Sequence, residues 1–398
     1  MILKLVRFLS FYLLDRTIYF VGGRSIRSGL LLIRLDAIGD FFIWLDSAKE
    51  YRRLYPGKKI TVCLNSALHE LASSFPYWDE VIPIDVKKFS LNPWYRIKVL
   101  GHIRRSSFEI AIQPTFSRAF SLGDAVIRAS CATERIGSVG DCTNISPLAR
   151  SIADRWYTRL VAAGKAPLME LDRNAEFVGN LNGQAFTANL AILPMLNPLP
   201  ARLKIAGPYF IVFPGASWSG RQWPAAYFVE VLTKLNYLYG WRPIVCGGSG
   251  DGALCQSIVD ASPDCAVNLG GQTSLPELVE LIRGAQVLIG NETSAIHIAA
   301  AVSTPSVCIL GGGHYGRFMP YPTHIQGVKP LAANYDMPCY NCNWHCTQAF
   351  RKGCAVPCVS GVTVADVMQR AFIGSNGSGE SLGKPVGNRL VHTRGVRR

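Results

Sequence analysis

The chain of 398 residues is long enough for two ordinary domains, and at 49% hydrophobic and 17% charged, with a mean hydropathy of +0.17, it leaves little room for long disordered stretches. Its 41 Lys and Arg against 27 Asp and Glu give a formal net charge of +14, which favours anionic partners. No nucleic-acid module or continuous basic stripe accompanies that charge, so an acidic membrane surface or a phosphorylated substrate suits it better than nucleic acid.

Much of the positive charge sits at the two ends. Residues 1–28 carry Lys4, Arg7, Arg16, Arg24 and Arg27 against Asp15, and residues 376–398 carry Lys384, Arg389, Arg394, Arg397 and Arg398 against Glu380. The first stretch is apolar but broken by charges, and its uncharged runs fall well short of the roughly 18–20 residues that a spanning helix needs. No small-residue cleavage site follows, as a signal peptide would require. Residues 1–28 therefore read as an amphipathic segment, lying at a membrane interface or docked on the protein's own body.

Leu30 to Leu35 is an apolar run typical of a buried strand, followed by the loop Asp36-Ala37-Ile38-Gly39-Asp40 and a helix from about Phe41 to Leu54. Further strands are expected at Lys59–Leu64, Glu80–Ile84 and Phe108–Gln113. Helical segments lie near Ser66–Phe75, Pro93–Arg105 and Ser117–Ser130. The alternation predicts a parallel sheet with helices on both faces, in a domain spanning 29–189. Residues 190–207, with three prolines and no clear period, read as a linker. A second alternating set then fills 208–373, with strands at Tyr209–Phe213, Arg242–Cys246, Ala266–Asn268, Val287–Ile289 and Ser306–Leu310. Ser274-Leu275-Pro276-Glu277 is a capping box with proline in the first turn of a helix. The polar, basic stretch 374–398 reads as a disordered tail. Neither half carries GxGxxG after its first strand, which weighs against a nicotinamide or flavin enzyme.

Three strand-to-helix loops contain residues suited to chemistry. After the first strand, Gly39 allows close approach to the backbone, and Asp40 is placed to take a proton from a hydroxyl, with Asp36 as its rival in the same loop. After the first strand of the second half comes FPGASWSGRQWP, in which Ser217 can line a phosphate and Arg221 can bridge phosphate oxygens. Cys246 to Asp251 ends the next strand, and Asp251 could accept from ribose hydroxyls. The stretch 285–313 reads as strand, loop, helix, strand and glycine turn. Its loop Gly290-Asn291-Glu292-Thr293-Ser294 meets a helix start, where free N–H groups and the helix dipole favour phosphate. His297 lies one turn on, and Gly311, Gly312 and Gly313 follow the next strand.

Seven of the 12 cysteines are scattered and act as small core residues. The other five, Cys339, Cys342, Cys346, Cys354 and Cys358, are dense enough for a structural metal site, although their spacing matches no standard zinc module and disulfides or free thiols fit as well. With no secretory signal, the compartment is expected to be reducing.

Taken together, IRLDAIGD, FPGASWSGRQWP and IGNETSAIHIAAAVSTPSVCILGG resemble glycosyltransferase family 9, the bacterial heptosyltransferase family of lipopolysaccharide synthesis, over about Leu30 to Ala371. The resemblance implies an α/β GT-B fold of two Rossmann-like domains facing across a cleft, with acceptor on the first and nucleotide-sugar donor on the second. It implies inverting, metal-independent transfer with no cofactor beyond the donor, most plainly an ADP-linked heptose or similar sugar. The acceptor would be an anionic lipid-linked saccharide, met by an enzyme on the cytoplasmic face of the inner membrane.

The resemblance also assigns roles, with Asp40 as catalytic base and Arg221 on the donor diphosphate. Donor contacts fall on Gly39, Ser217, Asp251, Asn291, Glu292, Thr293, Ser294, His297, Gly311 and Gly312. Where the family has Asp and Gly in its GN-Asp-Thr-Gly loop, this chain has Glu292 and Ser294, and Arg221 stands for the more usual lysine. Lys87, Lys88, Arg96, Lys98, Arg104 and Arg105 give the first domain a basic character suited to an anionic acceptor. A sugar-nucleotide epimerase of the same architecture and a non-catalytic peripheral membrane protein are the alternatives.

Overall fold

A computed structural model describes residues 10–20 and 27–376. The tail beyond Asn376 and the basic residues Lys4, Arg7 and Arg24 lie outside them. The chain forms two compact units: Met1–Ala191 with Gly316–Phe318 and Pro322–Ile325, and Ile192–Tyr315 with Met319–Tyr321 and Gln326–Arg398.

The first unit is built on β1 (Leu30–Arg34), β2 (Ile60–Asn65), β3 (Glu80–Ile84), β4 (Ile110–Gln113), β5 (Glu134–Ser138) and β6 (Arg159–Val161). All pairs are parallel, in the order β3-β2-β1-β4-β5-β6. Every residue of β1 is buried, as expected of a central strand covered on both faces. The second unit repeats the plan with β7 (Tyr209–Phe213), β8 (Arg242–Val245), β9 (Val267–Asn268), β10 (Leu288–Asn291), β11 (Ser306–Leu310) and β12 (Leu331–Asn334), in the order β12-β11-β10-β7-β8-β9. In each sheet the chain reverses its direction of strand addition at one seam, β1/β4 in the first and β7/β10 in the second. Loops at the carboxyl ends of strands diverge there and leave room for a ligand.

β5, β6 and β12 escape the sequence reading because they carry charged or small residues, run three to five residues, and lie toward the sheet edges. The helix Glu170–Asn182 is absent from that reading too. The helix expected from Ser117 begins only at Gly123. Before it the chain is irregular because Arg118, 1% exposed, turns inward to pair with Asp124 and Asp154. Gly123 itself lies against the Gln113 carboxamide, where a Cβ would approach to 2.2 Å. The helix after β1 starts at Ile38 rather than Phe41, so Asp40 belongs to its first turn and not to a loop. The capping box at Ser274 and Glu277 forms with both reciprocal bonds.

The described part of the amphipathic segment docks on its own unit. Arg96, 1% exposed, donates from Nε and Nη2 to the two Asp15 carboxylate oxygens at 2.7 Å each, and its guanidinium lies over Phe89 and Phe11 at 4.4 and 5.0 Å. Arg96 is thus committed to the interior and unavailable to an acceptor. Replacing Asp15 with Asn strands a buried guanidinium and should lower stability by about 3 kcal/mol, read as a lower urea midpoint with unchanged slope. An unaltered midpoint would show that the pair does not hold the segment.

Candidate active site

At the β1/β4 seam, Arg34 is buried at the end of β1, pairs with Asp36 at 2.8 Å and donates to Asn174 Oδ1 at 3.0 Å. Thr115, just beyond β4, donates to Asp36 Oδ2 at 3.1 Å. Asp36 is therefore engaged by two partners. Asp40 makes no side-chain hydrogen bond among the described residues and stays half-buried in the first turn of the helix. Burial pushes its carboxyl up to about 7, with the negative charges of Asp36 and Glu170 adding to the rise and Arg34 and Arg317 opposing it. A carboxylate with its midpoint near neutrality and no competing donor is suited to accept a proton.

Glu170 and Arg317 are the residues that sequence reasoning missed here. Arg317 Nε donates to Glu170 Oε1 at 2.9 Å and its Nη2 donates to Ser117 Oγ at 3.0 Å, while the Glu170 N–H donates to the Arg317 carbonyl at 2.7 Å. Arg317 follows β11 in the chain yet packs in the first unit, and no local pattern announces that.

At the β7/β10 seam the organising residue is Asn291, 1% exposed. Its Nδ2 donates to the Pro214 carbonyl at 2.7 Å and its Oδ1 accepts from Trp223 N–H at 3.1 Å, tying both ends of the loop after β7 to the end of β10. Asn291, expected among the donor contacts, spends its carboxamide on that scaffold. Within the loop, Arg221 donates from Nη2 to the Glu292 carbonyl at 2.9 Å and to Glu292 Oε2 at 3.2 Å, and from Nη1 to exposed Ser217 at 3.2 Å. Its guanidinium also lies 4.7 Å from the centroid of the Trp344 ring, a contact the sequence does not signal.

Glu292 is 6% exposed, and burial raises its carboxyl to about 7 against the pull of Arg221. Its Oε1 and the Thr293 Oγ1 are buried without a partner beside the start of the helix Ser294–Ala301. Thr293 occupies the N-cap position but its hydroxyl makes no capping bond. These two acceptors and the free N–H groups of the helix start can therefore engage an anionic, hydroxyl-bearing ligand.

Asp251 precedes the helix Gly252–Asp260, accepts from Gly248 N–H at 2.9 Å, and leans over Gly215, where a Cβ would come within 2.1 Å of its Oδ2. It thereby reaches from the β8 loop to the β7 loop. His297 packs inward, with Nδ1 3.0 Å from Tyr321 OH, and burial lowers it to about 4, so it is neutral at pH 7. Gly311 and Gly313 lie under the Trp344 ring and Gly312 under Tyr340, each at distances that exclude a Cβ.

All 12 cysteines are free thiols. Cys339, Cys342, Cys346 and Cys358 line one small cavity with Met337, Tyr340 and Trp344, while Cys354 is exposed. Among the described residues no group of three or more His, Cys, Asp or Glu side chains is already arranged to hold a metal ion. What the segment does is cover β11. Asn341 and Asn343 N–H groups donate to the Gly312 and Gly313 carbonyls at 2.7 and 3.0 Å, and Trp344 adopts the left-handed conformation (φ 61°) with its ring against the glycine turn.

Residues 184–349 match the model of glycosyltransferase family 9 (heptosyltransferase). That match takes in most of the second unit and none of the strands β1 to β6. Lipopolysaccharide heptosyltransferase 1 of Pseudomonas aeruginosa is 21% identical over 325 residues, covering 79% of this chain and 85% of that protein. A solved structure of Escherichia coli ADP-heptose LPS heptosyltransferase II superposes with a TM-score of 0.64 at 18% identity, covering 87% of this chain and 98% of that one. The E. coli heptosyltransferase WaaC solved with ADP-2-deoxy-2-fluoro heptose gives 0.61 at 18% identity, covering 87% and 99%. The GT-B fold implied by the resemblance is shared with these structures. The matched residues include Arg221, Glu292 and Trp344, whereas Asp40 lies outside them.

Asp40 and Glu292 bind protons in the native state that the unfolded chain releases between about pH 4 and 7, so both make the fold less stable as pH rises through that window. Substituting Asp36 with Asn removes a negative neighbour and frees Arg34, so the Asp40 midpoint should fall below about 7 in a carboxyl-carbon NMR titration. A midpoint that stayed or rose would assign the shift to burial alone.

Proposed function

We propose that the protein is an inverting glycosyltransferase that moves a heptose or similar sugar from an ADP-linked donor to a lipopolysaccharide or related lipid-linked acceptor. The observation that carries this reading is Asp40, a carboxyl raised to about 7 at the sheet seam with no competing hydrogen bond. In the reaction an acceptor hydroxyl attacks the anomeric carbon and gives its proton to Asp40, while the bond from that carbon to the diphosphate oxygen breaks and the electron pair leaves with ADP. A single displacement inverts the configuration.

Arg221, Ser217 and the free N–H groups at the start of Ser294–Ala301 take the charge that grows on the leaving diphosphate, and this electrostatic role needs no divalent cation. Glu292 keeps Arg221 in place with one oxygen and offers the other to a donor hydroxyl. Asp251 serves the ribose. Gly39 lets the acceptor approach the helix start, Gly311 admits the Trp344 ring that lies against Arg221, and Gly312 sits against the Tyr340 ring. The donor class rests on the likeness to the WaaC complex and on the family 9 match. An anionic, lipid-linked acceptor suits the net charge of +14 and the likeness to a lipopolysaccharide heptosyltransferase, and the same reading puts the enzyme at the cytoplasmic face of the inner membrane. No helix among the described residues is long and apolar enough to cross a membrane.

Asp40→Asn should lower turnover by about 10²–10⁴-fold while ADP affinity, read by calorimetry, stays at the wild-type level. Arg221→Ala should instead weaken ADP binding by about tenfold or more. Near-normal turnover in the Asn variant would remove Asp40 as base, and ADP binding untouched by the Ala variant would move the diphosphate elsewhere.

A further inference from the structure

The helices Val86–Leu91 and Pro93–Ser106 meet at a corner on the first unit whose outward side no described part of the chain covers. The corner is rigid. Asp85 accepts from Lys88 N–H at 2.9 Å and Asn92 from Tyr95 N–H at 3.0 Å, so each helix is capped, and Tyr95 OH accepts from Asp85 N–H at 3.0 Å. Phe89, Arg96, Leu100 and Ile103 anchor the inner side in the core. Leu91 and Trp94 are thereby held out in solvent, 56% and 80% exposed.

Charge is distributed around these two side chains in a definite way. Lys87 and Leu91 lie four residues apart on one helix face, and Trp94 and Lys98 do so on the next, with Lys88 also exposed. The stretch 86–98 contains no acidic residue, and the adjoining Asp85 is occupied by Lys88 at 3.4 Å. An apolar tip of Leu and Trp ringed by lysines matches the interface of an anionic bilayer, where the indole sits at headgroup level and the ammonium groups meet lipid phosphates. A protein partner of the same chemistry would need an acidic rim around an apolar centre. Beside the corner, Ser90 borders a cavity of about 380 Å³ whose lining mixes Phe11, Phe120, Leu122 and Ile145 with Asn144 and Ser146 and holds no charged side chain.

We propose that this corner, through Lys87, Lys88, Leu91, Trp94 and Lys98, docks the first unit on an anionic membrane surface. The inference deepens the acceptor side of the proposed function, since a lipid-linked acceptor is met at that surface, but its test involves no turnover.

The full chain is sedimented with vesicles of neutral phosphatidylcholine and with vesicles containing one-third phosphatidylglycerol. Three proteins are compared: wild type, Leu91→Ser with Trp94→Ser, and Lys87→Gln with Lys88→Gln and Lys98→Gln. The expected result is wild-type binding at least tenfold tighter on anionic than on neutral vesicles, and a loss of at least tenfold in both variants, with ADP affinity and melting temperature unaltered. All five side chains are exposed, so neither variant disturbs the core. Equal binding of wild type to both vesicle types, no binding at all, or variants that bind as wild type would overturn the proposal. In the last case the membrane contact lies on another part of the chain. ADP binding lost in the wild type would instead count against the donor reading alone.

Discussion

A carboxamide buried at the end of a central strand must find partners for both its donor and its acceptor, and Asn291 finds them in the Pro214 carbonyl and the Trp223 N–H. That requirement fixes the loop after β7 at its two ends, and so fixes Arg221 within it. From there the rest of the half-site follows. Arg221 is turned toward Glu292 and Ser217, its face is covered by Trp344, and Trp344 can lie there only because Gly311 and Gly313 have no side chains. The cysteine-rich segment brings this indole to the guanidinium.

The two units solve one problem in similar ways. Each has a carboxyl near 7 at the seam where strand addition reverses, and each balances it with arginines that are themselves held by other groups. Arg34 is bound to Asp36 and Asn174, Arg317 to Glu170 and Ser117, and Arg221 to Glu292 and Ser217. Burial raises the carboxyls, while the fixed cations keep them from rising further. Groups held in this way need little reorganisation when charge moves through the site, and that preorganisation is the main electrostatic contribution a protein makes to such a step.

Much of this is legible in the sequence, for reasons that can be named. The central strands β1, β7, β10 and β11 are buried apolar runs bounded by glycine or polar residues, and Asp40 in the helix turn after β1, Arg221 in the loop after β7 and Glu292 just after β10 stand where a strand hands over to a helix. Short polar strands such as β5 and β6 lack that pattern, and only pairing with a neighbour makes them strands. Glu170, Arg317 and Trp344 are invisible for a different reason. Their roles depend on contacts across long stretches of chain, and nothing adjacent to them in sequence shows which loop they will meet. Likewise Arg96 reads as one of a run of basic residues, and only its distance to Asp15 shows that it is a core residue.

The anomeric configuration of the product tests most directly whether Asp40 and Arg221 act in one displacement. Proton NMR of the glycan formed from ADP-heptose and a lipid-linked saccharide acceptor, compared with the donor, would read it. Opposite configurations at the anomeric carbon are expected. A product that keeps the donor's configuration would contradict the single displacement, and with it the role of Asp40 as a base rather than a nucleophile.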